Sequence, residues 1–318
     1  MAKKQLPSKG RSRGKGSRYE RNVMIGIVVA ALAIALTLWG PLRTYRFTDG
    51  KKPAQQAEKK QDAVDRDAKK SEKKDKTAGA EKRDARAVKK GDAAGADRRA
   101  LVAIVIDDLG QDLKAAREVL SLPARVTFSV MPGLPNSRKV AELAKQGNHE
   151  VLLHLPMEYR SRNGKPAPGM LRSDMTPMDF LNTLTENLNS VPGAVGVNNH
   201  EGSALTENTE AMKFLMAELK ARELFFLDSL TSSKSVAYAT AKEFGLKAGK
   251  RDVFLDNDSD NAESIRKQLD ELSHIAKQRG RAVGIGHPHP ATVKELRTWI
   301  ATTAEQGIEI VPLSRLMQ

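Results

Sequence analysis

The chain of 318 residues contains no cysteine. That absence excludes a disulfide scaffold, a thiolate zinc site and a cysteine nucleophile together. It is compatible with an oxidising compartment. Other signatures are missing too: residues 100–318 contain no GxGxxG at the opening of the first helix, no GxxxxGK[ST] loop and no GxSxG elbow. Dinucleotide binding, nucleotide hydrolysis and serine-hydrolase chemistry therefore lack their usual supports. Ser203, Ser229 and Ser232 read as turn or cap residues. A third absence concerns residues 51–99, which hold no Leu, Ile, Met or aromatic residue, their larger aliphatics being Val64 and Val88. A segment with so little to bury cannot offset its ordering entropy, and residues 43–99 read as a disordered charged tether.

What is present is charge, unevenly placed. The 53 basic and 39 acidic side chains leave a net +14. Residues 1–50 carry ten basic and two acidic groups, residues 51–99 seventeen and ten, and residues 100–318 only 26 and 27. The basicity belongs to the delivery segment, so it makes no case for a nucleic-acid partner; the tether also lacks aromatics for base stacking. No charge lies between Arg21 and Arg43, and Val23 to Gly40 is an almost unbroken apolar run. At ~1.5 Å per residue this run covers about 27 Å, close to the ~30 Å of a bilayer core. No small-x-small cleavage site follows, so residues 23–42 are expected to be an uncleaved inner-membrane anchor. Eight basic residues precede it and four follow closely, which places the tail, residues 1–22, in the cytoplasm and the remainder outside.

From residue 100 the pattern alternates. Apolar, β-branched runs at Leu101–Asp107, Arg125–Val130, His149–Leu155, Ala194–Asn198, Leu224–Asp228, Asp252–Leu255, Ala282–Gly286 and Ile308–Val311 read as strands. Amphipathic stretches separate most of them: Asp112–Leu120, Ser137–Gln146, Thr176–Ser190, Glu207–Arg222, Val236–Phe244, Ala262–Arg279 and Ala291–Gln306. Seven or eight strands, nearly all followed by a helix, predict a parallel α/β fold. A closed or nearly closed (β/α) barrel of about seven strands fits the count better than an open doubly wound sheet.

Catalysis in such folds sits at the C-terminal edge of the strands. That edge collects Asp107 and Asp108, His154 with Glu158 a turn later, Asn199 and His200, Asp228, Asp256, and finally His287 and His289. His149 points to the opposite face and His274 reads as a surface residue. Histidines and carboxylates around an open position describe a hydrolytic metal site. Capping of the next helix is the ordinary use of an adjacent Asp pair, but the histidines at the same edge favour a site.

Six segments, in order, resemble the divergent polysaccharide deacetylases, distant relatives of the NodB-type carbohydrate esterases. They are Val105–Gly110 (VIDDLG), Asn148–Glu158 (NHEVLLHLPME), Gly196–Ser203 (GVNNHEGS), Phe225–Ser229 (FFLDS), Arg251–Asn257 (RDVFLDN) and Gly284–Pro290 (GIGHPHP). The resemblance implies a deacetylase-type barrel over residues 100–318 acting on a polysaccharide. It implies Asp107 as catalytic base, Asp108 and His154 as ligands of a divalent metal, expected to be zinc, and His287 as general acid. Where the family's second metal histidine is expected this chain has Glu158; where its arginine is expected stand Asn199, His200 and Glu201. Glu158 and His200 are the candidate replacement ligands, and Asn199, Asp228 and His289 are candidates for contacting substrate or orienting a histidine. The implied reaction is removal of acetyl groups from an envelope or extracellular glycan. The alternative is a catalytically impaired domain that binds glycan or envelope partners.

Overall fold

The computed structural model describes residues 99–160 and 167–318. The expected tail, anchor and tether, up to residue 98, lie outside these residues. Among the described residues, no helix is long and apolar enough to cross a membrane.

Nine strands form one sheet: β1 (Ala100–Leu109), β2 (Thr127–Val130), β3 (Glu150–Met157), β4 (Gly196–Glu201), β5 (Phe225–Asp228), β6 (Ala248–Lys250), β7 (Val253–Phe254), β8 (Arg281–Gly286) and β9 (Ile308–Ile310). Every pairing is parallel, in the order β6-β5-β4-β3-β2-β1-β8-β7, with β9 added on β1. The central strand β1 pairs with β8 along Leu101–Ile106 on one edge. Its other edge is shared, β9 taking Ala100–Val102 and β2 taking Val105–Leu109.

Among the described residues, seven α-helices cross between the strands: α1 (Leu113–Leu120), α2 (Ser137–Gln146), α3 (Pro177–Ser190), α4 (Thr209–Ala221), α5 (Ala237–Glu243), α6 (Ala262–Arg279) and α7 (Pro290–Thr303). Their ends follow local chemistry. Asp112 caps α1 by accepting from the Lys114 amide at 2.7 Å. Thr176 caps α3, and Pro177 supplies the preset φ of a first helical residue. Asn261 accepts from two amides at the start of α6, which stops at Gly280 in the left-handed conformation.

All eight expected strands and all seven expected helices are present, with shifts of a few residues at their ends. The structure adds β6, a three-residue Ala-Gly-Lys strand with no apolar run to announce it. It also corrects the closure: no ladder joins β6 to β7 among the described residues, so the architecture is a parallel β/α half-barrel.

Alternation along each strand separates two cores. Val102, Ile104, Ile106, Leu153, Leu155, Val197 and Phe226 face outward into the helix layer. Ala103, Val105, Leu152, Leu227, Val283 and Ile285 face inward, where they meet Val311, Leu313, Leu316 and Met317 from the C-terminal segment. That segment fills the interior and hydrogen-bonds to β6 through Gln318 and Ala248.

Candidate functional site

The inward parity of each strand continues past its last apolar residue into a polar one. Asp107 follows Val105 on β1, His154 follows Leu152 on β3, and His287 follows Ile285 beyond β8. On β4, Val197 faces outward, so Asn198 and His200 face inward. These side chains therefore converge at the C-terminal mouth of the half-barrel.

Asp108 reaches the same point by a different device. The β1–β2 register runs Ile106↔Phe128 and then Leu109↔Val130, so one extra residue bulges from β1 at the Asp pair. Asp108 there takes φ 57°, a left-handed conformation that aspartate tolerates better than most residues. The bulge turns two consecutive carboxylates toward one centre, and the pair does not cap α1.

At that centre three ligand atoms nearly touch. Asp108 Oδ1 lies 3.2 Å from His154 Nε2 and 3.1 Å from His200 Nδ1, and the two ring nitrogens are 3.2 Å apart. Asp108 Oδ1 is buried yet makes no hydrogen bond of acceptable geometry. Ligands held ~2.0–2.2 Å from a tetrahedral zinc stand about 3.3 Å from each other. The trio thus has the spacing and the unsatisfied oxygen that fit a small divalent cation.

Two further groups adjoin it. Asp107 is buried, with Oδ1 accepting from Asn198 Nδ2 at 2.9 Å and Oδ2 lying 3.6 Å from His154 Nε2. His287 points Nε2 toward Asp108 Oδ2 at 3.7 Å, while its Nδ1 lies 3.0 Å from Asp256 Oδ1. Asp256 also accepts from the His287 amide at 2.6 Å and from Thr292 Oγ1 at 2.8 Å. Gly286 permits this approach, since a Cβ there would stand 3.3 Å from Asp256 Oδ2.

The electrostatics follow from these contacts. Burial alone would lower the pKa of His154, but the Asp107 and Asp108 carboxylates and Asn198 outweigh it and raise the pKa above the ordinary histidine value. His287 is raised in the same way: burial opposes the charge, and the contact with Asp256 overcomes it. Burial would raise Asp108 and Asp256, yet their histidine partners hold both well below the usual carboxylate range.

Residues 104–317 match the family described as divergent polysaccharide deacetylase. The chain belongs to this family. Two bacterial relatives match part of the chain. Uncharacterized protein YibQ of Escherichia coli is 39% identical over 199 residues, covering 63% of this chain and 62% of that protein. An uncharacterized Haemophilus influenzae protein is 35% identical over 215 residues, covering 68% of this chain and 76% of its own. The chain thus matches less than two thirds of the length of the E. coli relative. Among solved structures, uncharacterized protein ATU2773 of Agrobacterium tumefaciens superposes with a TM-score of 0.66 at 28% identity, over 71% of this chain and 92% of that one.

Within this deacetylase-family domain, several residues singled out from sequence stand elsewhere. Glu158 is not in the trio. Its Oε2 accepts from the amide and hydroxyl of Ser173, at 2.8 and 2.6 Å, and so pins the chain just before α3. His200 completes the group in its place. Asn199, with the opposite parity to Asn198, accepts from the Ser229 amide and donates to Thr231 Oγ1 and the Glu201 carbonyl. Asp228, fully buried, accepts from the Leu230 and Tyr238 amides and from Ser235 Oγ, ordering the turn that leads to α5. His289 is exposed at the start of α7, its ring 5.7 Å from that of His287, and the two line a cavity of about 250 Å³ beside Asp108. Sequence reasoning missed the contact between Asp256 and His287 and the inward position of Asn198; strand parity from Val197 was the available signal for the latter.

Proposed function

We propose that the protein is a metal-dependent hydrolase that removes acetyl groups, N-linked ones foremost, from a cell-envelope polysaccharide. In this reading its N-terminal segment anchors it in the cytoplasmic membrane with the domain outside. The observation that carries the reading is the convergence of Asp108, His154 and His200 within 3.2 Å of one another, with Asp107 and His287 each within 3.7 Å of a member of that trio. A divalent cation held by the trio, zinc in this reading, would polarise an acetyl carbonyl and acidify a water.

The chain's own residues supply the proton transfers. Asp107 Oδ2, lying against the trio, takes the proton of the attacking water, while Asn198 holds the other oxygen. His287 enters as the imidazolium that Asp256 stabilises, and Nε2 delivers its proton to the departing amine nitrogen. Asp256, itself held by the His287 amide and Thr292 Oγ1, occupies the Nδ1 side of the ring, which leaves Nε2 to face the substrate.

Elemental analysis of the purified protein, together with acetate release from a panel of acetylated envelope glycans including peptidoglycan fragments, tests the reading. One divalent ion per chain and stoichiometric acetate release are expected. A wild-type protein that binds no divalent metal overturns the mechanism. Glycan retention without acetate release selects the alternative of a binding protein that has kept the fold.

A further inference from the structure

The carboxamide of Asn198 has 0% exposure and four polar neighbours. Its oxygen accepts from Ser129 Oγ at 2.7 Å and lies 3.1 Å from His154 Nδ1. Its nitrogen donates to Asp107 Oδ1 at 2.9 Å and to Ser229 Oγ at 3.2 Å. Both lone-pair directions of the oxygen and both hydrogens of the nitrogen are thereby used. The flip state of a buried amide is decided by its network, and this one has a single consistent solution. Asp107 accepts and so must face the NH2 end. The ring nitrogen of His154 therefore faces the oxygen and must carry hydrogen.

We propose that Asn198 is a positioning residue that couples the metal ligand to the base. Its oxygen holds His154 as the Nδ1–H tautomer, leaving the Nε2 lone pair directed at the trio, while its nitrogen fixes the orientation of Asp107. The inference rests on reading the trio as a metal centre and Asp107 as the base. The outer partner of a ligating imidazole sets both its tautomer and its aim, and removing such a partner costs about 10–100-fold in metal affinity or activity. Here the partner is an uncharged amide, and unlike a carboxylate it can serve the base at the same time.

The two halves of the amide can be separated by substitution. Asn198→Asp keeps an oxygen for His154 but replaces the donor to Asp107 with a second carboxylate. Asn198→Ala removes both contacts. In the full-length protein, zinc affinity measured by chelator competition is expected to stay within a few-fold of wild type in Asn198→Asp and to fall about 10–100-fold in Asn198→Ala. Acetate release is expected to fall in both, through kcat in Asn198→Asp. Histidine ¹⁵N NMR of the metal-free protein at alkaline pH, where imidazoles are neutral, is expected to show His154 as the Nδ1–H tautomer in wild type and as a mixture in Asn198→Ala.

Equal losses of zinc affinity in the two variants, tracking equal losses of melting temperature, would reduce Asn198 to a packing role and overturn the proposal. So would an Nε2–H tautomer for His154 in wild type. The NMR readout needs neither metal nor glycan. A wild type that shows the Nδ1–H tautomer but binds no zinc defeats the functional reading and leaves the tautomer assignment standing.

Discussion

At the scale of single residues, the site assigns different work to groups of the same type. Asp107 and Asp108 are neighbours, but the first is tied to an amide and the second faces two imidazoles. His154 and His287 both have raised pKa values, the first from the Asp107 and Asp108 carboxylates, the second chiefly from Asp256. A general acid contributes ~10²–10⁴-fold to a rate. Under the proposed mechanism His287 is that acid, and substituting it with alanine is expected to lower kcat for acetate release by that factor while the metal content, measured by elemental analysis, stays that of wild type. The contact between Asp256 and His287 also has a signature in stability. The Asp256 pKa is depressed, so its contribution is present above about pH 4 and is lost as pH falls through the folded value. The His287 pKa is raised, so its contribution is present below about pH 6.5 and is lost as pH rises through the folded value. The stability gap between wild type and Asp256→Asn, from urea unfolding at a series of pH values, is therefore expected to be widest from about pH 4 to about pH 6.5.

At the scale of elements, strand parity and hydrogen-bond competition decide which polar residues reach the mouth. Asp107, His154 and His287 are legible because each follows an apolar run at the end of a strand, and His200 because it lies a few residues past such a run, at the end of β4. Asn199 and Asp228 also lie near the edge, but strand parity turns them the other way: Val197 and Phe226 face the helices, so Asn199 and Asp228 do too. Glu158 lies beyond the last residue of β3, where parity no longer binds, and the Ser173 amide and hydroxyl claim it. The bulge at the Asp pair, the missing ladder between β6 and β7, and the short β6 depend on pairing with distant strands, which local pattern does not carry. The reassignment of Glu158 is testable. Hydrogen bonds to a charged group contribute ~1.5–3 kcal/mol. Glu158→Ala is expected to lose stability on that order in urea unfolding, with metal stoichiometry retained; loss of the metal would return Glu158 to the ligand set.

At the scale of the whole domain, the interior is completed by the segment that follows β9. Leu313, Leu316 and Met317 pack against Leu152, Leu227 and Val283 beneath the mouth. Truncating a buried leucine costs ~2–5 kcal/mol, a large share of the 5–15 kcal/mol by which a typical protein is stable. Leu316→Ala is accordingly expected to lower the urea midpoint sharply and to weaken metal retention only through unfolding, so that below the transition the metal stoichiometry matches wild type.

The shared edge of β1 also has a consequence in time. This strand carries Asp107 and Asp108, and its neighbours β8 and β9 come from the opposite end of the domain sequence: Leu101 pairs with Arg281, and Ala100 with Ile308. Contacts this distant in sequence form slowly, because a long loop must close before they stabilise anything. The bulge itself is set against β2, and β2, β3 and β4 pair in sequence order, so the two carboxylates can meet the histidines of β3 and β4 before β8 and β9 arrive. His287 follows β8, so of the groups at the mouth it is the one whose arrival waits for the long loop to close, and the proton donor joins the trio last.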